Sequence, residues 1–164
     1  MRAFTLVLGL LTYSLCSPSL ASTKVYPVEE FLHVHFEGED AQALLNSLNL
    51  PEGQTSGGPG KTFSTSDNSV ELSCFKRHYN VVAHACEVVF DLRGFSKTIR
   101  VQNEKAGMRI ELVDSESNET LYKALNVAGS FENGDNPKSF ENADDRFRIE
   151  CSGNRVCSFF VDLN

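Results

Sequence analysis

The four histidines of the chain fall into two close pairs, His33 with His35 and His78 with His84. Residues two apart on a strand share a face, as His33 and His35 would, and His78 and His84 would share a face at the tip of a hairpin. Each pair could set two imidazoles on one face, an arrangement suited to a metal ion or to general acid–base work. The plainer reading is that they are ordinary strand residues. Nothing in the sequence brings the two pairs together, and a second copy of the surrounding unit carries Ile110 and Leu112 where the first has His33 and His35. No metal and no other cofactor is expected.

Carboxylates recur as Glu39, Asp40, Asp67, Asp91, Asp144, Asp145 and Asp162. A glycosidase-like pair needs two carboxyls facing across a cleft, whereas these fall at helix starts, turns and strand ends, where acidic side chains serve the local backbone. The sequence has no Ser-His-Asp arrangement and no His-Glu-x-x-His motif. Gly57–Thr62 lacks the spacing and the preceding buried strand of a phosphate loop.

The cysteines depend on where the chain resides. Arg2, the apolar run Ala3–Leu15 and the small residues of Ser19-Leu20-Ala21 make residues 1–21 a cleavable export signal. Its apolar run falls short of the roughly 20 residues that span a bilayer. Removal takes Cys16 away and leaves Cys74, Cys86, Cys151 and Cys157 in an oxidising compartment, secreted or periplasmic. Paired as disulfides, they are neither nucleophiles nor zinc ligands. Loss of Arg2 also leaves 14 Lys and Arg against 22 Asp and Glu, a formal charge of −8. Nucleic acid requires a basic face, and the only basic cluster, Lys76-Arg77-His78, is flanked by acidic sequence.

The elements around these residues occur twice. Shifting Val34–Cys74 by 77 positions lays it on Glu111–Cys151, matching Glu39/Glu116, Leu44/Leu121, Leu48/Leu125, Lys61/Lys138, Phe63/Phe140 and Cys74/Cys151. Each copy then closes with Cys-x-x-x-x-Asp-Leu, at Cys86–Leu92 and Cys157–Leu163. Of the three pairings that four cysteines allow, Cys74–Cys86 with Cys151–Cys157 respects this repeat. It also sets the register of two hairpins: Leu72 opposite Val88 and Val70 opposite Phe90 in the first, Ile149 opposite Phe159 and Phe147 opposite Val161 in the second.

Before each hairpin comes a strand (Phe31–Phe36, Met108–Val113), then a short helix with leucines at spacings of three and four and an acidic start. Two turn-rich loops follow, Pro51–Gly60 and Ala128–Pro137. Ser22–Glu30 reads as a polar lead-in, and Gly94–Gly107 as a linker with an extra strand near Lys97–Val101. The fold class is α+β: a tandem, pseudo-twofold repeat of strand-helix-loop-hairpin units, with residues 22–107 and 108–164 forming one compact domain. One antiparallel sheet, or two abutting sheets, would carry both short helices on the apolar face and leave the opposite face exposed. Asn118-Glu119-Thr120 is a formal glycosylation sequon.

On the polar faces of the hairpins one apolar residue recurs, Val89 in the first and Phe160 in the second. With Glu71, Glu87, Arg148 and Asp162 around them they are the candidate binding residues, of the type that marks a protein partner site. Tandem units with one short disulfide each resemble the β-lactamase inhibitory proteins in architecture, without a matching motif or residue role. The expectation is an exported, disulfide-stapled binding or inhibitory module with a protein partner. The alternatives are a hydrolase using carboxylates or histidines on one sheet face and a structural envelope component.

Overall fold

The computed structural model describes residues 22–55, 58–79, 81–127 and 137–164; the predicted export signal and most of the second turn-rich loop lie outside them. The chain runs β1 (Ser22–Val28), β2 (Phe31–Glu37), α1 (Gly38–Ser47), β3 (Glu52–Thr55), β4 (Gly58–Ser64), β5 (Val70–Tyr79) and β6 (Val81–Asp91). It continues as β7 (Ile99–Asn103), β8 (Gly107–Leu112), α2 (Ser115–Ala124), β9 (Lys138–Glu141), β10 (Phe147–Cys151) and β11 (Cys157–Asp162). The strands form two antiparallel sheets, ordered β1-β2-β6-β5-β4-β3 and β7-β8-β11-β10-β9. The class is α+β.

Both disulfides form as the spacing predicts, Cys74–Cys86 and Cys151–Cys157, each with its Cα atoms 4.0 Å apart. The register beside them follows: Leu72 faces Val88, Val70 faces Phe90, Ile149 faces Phe159 and Phe147 faces Val161. All eight are fully buried. The inner faces of the two sheets meet through Phe36 against Phe147 and Phe90 against Phe159, edge to face with centroids 5.0 and 5.2 Å apart. A single apolar cluster therefore takes in both halves. A sheet with one apolar face must cover it, and here each sheet covers the other while α1 packs on β2 and β6 and α2 on β11.

The halves meet about a local twofold. Leu48 faces Leu125 in an isolated antiparallel bridge. On either side of it the Asn49 N–H donates to Ala124 O and the Asn126 N–H to Ser47 O, both at 2.7 Å. Each of these residues is matched by the one 77 positions on. The turns before β5 and β10 match as well: Thr65 N–H donates to Val70 O and Asn142 N–H to Phe147 O, with Asn68 and Asp145 at φ 56° and 59°.

Three expectations change. Ser22–Val28 is a strand, paired along its length with β2. Pro51–Gly60 is not simply loop, because β3 and β4 form a hairpin that joins the first sheet beside β5. Glycine permits this: a Cβ on Gly60 would lie 2.3 Å from the Cys74 carbonyl oxygen, so β4 reaches β5 only without one. The third change is a one-residue slip between β2 and β8. Val34 and Phe36 point inward and match Ile110 and Leu112, so His33 and His35 correspond to Arg109 and Glu111 on the outer face. A single-residue shift moves a strand's side chains to the opposite face, and the ungapped alignment had set His33 against Ile110.

Candidate functional site

With the inner faces packed on each other, chemistry-bearing side chains are left on the two outer faces. On the second sheet, one row across the strands reads Arg109, Phe160, Arg148, Glu141, and the next Glu111, Ser158, Glu150, Ser139. The alternation of β8 and β11 places them there, since Ile110, Leu112, Phe159 and Val161 turn inward. Half-buried Phe160 has arginines on both flanks, with the Arg148 guanidinium carbon 5.3 Å from its ring centroid.

Glu150 serves both arginines. It lies 3.8 Å from Arg109 Nη2 and 2.7 Å from Arg148 Nε, the latter in ion-pair contact without the alignment of a hydrogen bond. Arg109 is further held by Glu104 and Arg148 by Glu141. Beside this row lies an open concavity of about 420 Å³, with Arg109, Glu111, Glu150 and Ser158 on its polar side and Val156 and Pro137 at its apolar rim. The arginines are thus set by paired carboxylates beside a groove that is open.

The outer face of the first sheet has the same rows with different chemistry, His33, Val89, Glu71 and His35, Glu87, Ser73. His33 Nδ1 lies 2.9 Å from Glu87 Oε1, and the Tyr26 ring stacks on the imidazole at 5.3 Å. Burial, with the Glu87 carboxylate beside it, pushes the Tyr26 phenol up. His35 Nε2 lies 3.2 Å from Glu37 Oε1. The His78 side chain is outside the described structure. Among the described residues no cluster of three or more His, Cys, Asp or Glu is placed to hold a metal ion.

The six residues singled out by sequence are therefore divided between the sheets. Val89, Glu71 and Glu87 lie on the outer face of the first sheet, and Phe160, Arg148 and Asp162 on that of the second. Phe160 and Arg148 touch, while Asp162 takes the Asn164 N–H at 2.8 Å. Sequence reasoning missed Arg109, Glu150 and Ser158. Reading β8 in its pairing with β11 would have placed Arg109 beside Phe160.

Asn118 is not an accessible glycan acceptor. It is buried, its Nδ2 donates to Leu112 O and Asp114 O at 2.8 Å each, and its Oδ1 accepts the Cys157 N–H at 2.6 Å. The side chain ties α2 to the second disulfide. No helix among the described residues is long and apolar enough to cross a membrane. No family profile, no curated protein and no solved structure matches the chain. What the fold defines is a class: an α+β protein of two facing sheets, each stapled across its central hairpin.

Proposed function

We propose that the chain is an exported binding or inhibitory module that engages another protein through the outer face of its second sheet. The observation that carries this reading is Phe160, a half-buried aromatic on the outer face between Arg109 and Arg148, beside an open groove. Aromatic and arginine side chains are the residues most enriched where binding energy concentrates. Arginines already fixed by Glu150, Glu141 and Glu104 lose little freedom when a partner docks. The signal-like first 21 residues and the two disulfides support export. The acidic balance speaks against a nucleic-acid partner.

Val89, with Glu71 and Glu87, is a second and more acidic face, offered to a different partner or to none. The hydrolase alternative has the His33–Glu87 pair to draw on, but Tyr26 stacks over the imidazole, and among the described residues the hollows beside Arg109, Lys61 and Ile99 have no histidine in their lining.

The test is capture from the native extracellular milieu with the immobilised mature chain, comparing wild type, Phe160→Ser and Val89→Ser. The proposal expects a partner protein held by wild type and by Val89→Ser but lost with Phe160→Ser, at an unchanged melting temperature. A partner retained by Phe160→Ser, or a Phe160→Ser chain that no longer folds, would overturn the assignment of this face.

A further inference from the structure

β7 is an outermost strand of the second sheet, with β8 as its neighbour on one side. The hydrogen bonds at the two ends of their ladder reveal which way each backbone group points. The Val113 N–H donates to Thr98 O at 2.8 Å and the Glu104 N–H to Gly107 O at 2.9 Å. Bonded and non-bonded pairs alternate along an antiparallel ladder, so between these ends Arg100 and Gln102 are bonded to their partners Glu111 and Arg109. Ile99, Val101 and Asn103 turn their N–H and C=O groups the other way. Ser96 Oγ takes the Ile99 N–H at 3.1 Å, in keeping with that direction. Among the described residues nothing pairs with the N–H and C=O groups of Val101 and Asn103, and both residues are exposed.

An edge of this kind templates a further strand, and proteins commonly block it with proline, charge or a bulge. The first half does so. Phe36 matches Leu112 across the local twofold, so β1 matches β7, and Pro27, which has no N–H, stands where β7 has Asn103. β7 has no proline and pairs with β8 without a bulge, and its one charged side chain, Arg100, is drawn to Glu111 at 4.0 Å.

The same geometry defines the occupant. Donors and acceptors alternating along a strand edge are complemented by the backbone of an extended segment. The side chains of Ile99 and Val101 lie on the inner side of the sheet, opposite Leu112 and Ile110, and line a hollow of about 280 Å³ with Asp91, Leu92, Gly94 and Ser96. A strand laid beside β7 sends alternate side chains to that side. The hollow is part apolar and part polar, which suits an aliphatic stem with a charged head. Charge selects a cation. Asp91, Asp67 and Glu30 outnumber Arg93 and Lys97 around it, and without Arg2 the chain has 14 basic against 22 acidic residues, a formal −8. The loop that enters β7 is braced, with Asp67 accepting the Ser96 hydroxyl and the Lys97 N–H at 3.0 Å each and the Thr98 hydroxyl at 2.5 Å. It carries Phe95, 87 % exposed, close to the start of the strand. An edge held in place loses little freedom when a partner pairs with it.

We propose that β7 is a strand-addition site, at which an extended segment of a partner protein pairs with Val101 and Asn103 and seats a lysine or arginine in the hollow beside Asp91. β8 separates this edge from Phe160 on β11, so the site is independent of the face assigned above.

Selection of random short peptides displayed on phage against the immobilised mature chain tests this, with each enriched peptide then synthesised and measured singly. The expected result is peptides carrying Lys or Arg that slow hydrogen exchange at the Val101 and Asn103 amides. Their dissociation constants should rise on the order of tenfold in Asn103→Pro, which copies Pro27, and in Val101→Pro, as loss of a backbone hydrogen bond requires. Both variants should melt close to wild type, because neither N–H is bonded in the free chain, and Phe160→Ser should bind the peptides as wild type does. Should a proline variant fail to fold, amide exchange in the wild-type chain decides the matter alone. Peptides that leave both amides exchanging freely, that bind folded proline variants as tightly, or that lack basic residues overturn the proposal, as does a selection that enriches none. Self-association in sedimentation equilibrium that Asn103→Pro abolishes would also overturn it and give the edge to a second copy.

Discussion

The Thr98 hydroxyl donates to the Asp67 carboxylate at 2.5 Å, closing 31 residues of chain and fastening the start of the second sheet to a turn of the first. The opposite attachment is made by Thr23, whose hydroxyl takes the Asn142 Nδ2 hydrogen at 2.7 Å and donates to buried Asp40 at 2.9 Å. Each sheet is thus pinned to a turn of the other through a threonine, Thr23 within β1 and Thr98 just before β7.

Burial alone would raise the Asp67 pKa, but hydrogen bonds from Thr98, Ser69 and Lys97 outweigh it and hold the carboxyl well below the usual carboxylate range. A folded pKa below the unfolded one means that the unfolded chain binds the proton more readily. The contribution is therefore whole above the unfolded value of about 3.9 and fades as pH falls below it. Asp67→Ala should cost about 1 kcal/mol at neutral pH, discounted for the exposure of the turn, and the difference from wild type should shrink towards pH 2. Urea midpoints measured across this range check it. A difference that does not change with pH would show that the carboxylate charge is not what holds the loop.

Unfolding should be a single transition. Phe147 touches both Phe36 of the first sheet and Phe159 of its own, and the core has no seam at which one half separates. Phe147→Ala should cost about 3–5 kcal/mol and leave far- and near-ultraviolet dichroism coincident in urea. Two resolved transitions would mean that the halves are independent folding units.

The bridges should contribute unequally. Cys74–Cys86 closes a separation of 12 residues and Cys151–Cys157 one of 6. Chain entropy makes the first worth about 0.5 kcal/mol more. Comparing the double Cys→Ala variants by denaturation checks the order, and a greater loss from the second bridge would mean that packing outweighs entropy.

Asn118→Ala should cost about 2–3 kcal/mol, since it strands the buried Cys157 N–H. Thr120→Ala, which destroys the sequon from an exposed position, should cost almost nothing. Produced through a eukaryotic secretory pathway, the folded chain should carry no glycan at Asn118 by peptide mass. A glycan on folded chain would contradict the hydrogen bonding described for Nδ2.

Much of the local structure was legible because it rests on short-range regularities. Period-two alternation beside paired cysteines determined the inner and outer residues of both hairpins, and Leu44/Leu121 with Leu48/Leu125 located the helices. The lead-in at Ser22–Val28 was misread because its polar composition hides a strand whose hydrogen bonds all come from β2. The β3–β4 hairpin was misread because glycine and proline signal turns, whereas the need for glycine at Gly60 lies in how closely β4 approaches the Cys74 carbonyl.

Val89 and Phe160 show the same division. Sequence determined that both point away from the core, and only the packing of Phe36 on Phe147 and Phe90 on Phe159 decided that they belong to two faces rather than one patch. The burial of Asn118 and the exposure of Phe95 were likewise decided in three dimensions. Periodicity tells which side of a strand is apolar, but what covers that side depends on contacts between residues far apart in the chain, and no local pattern encodes them.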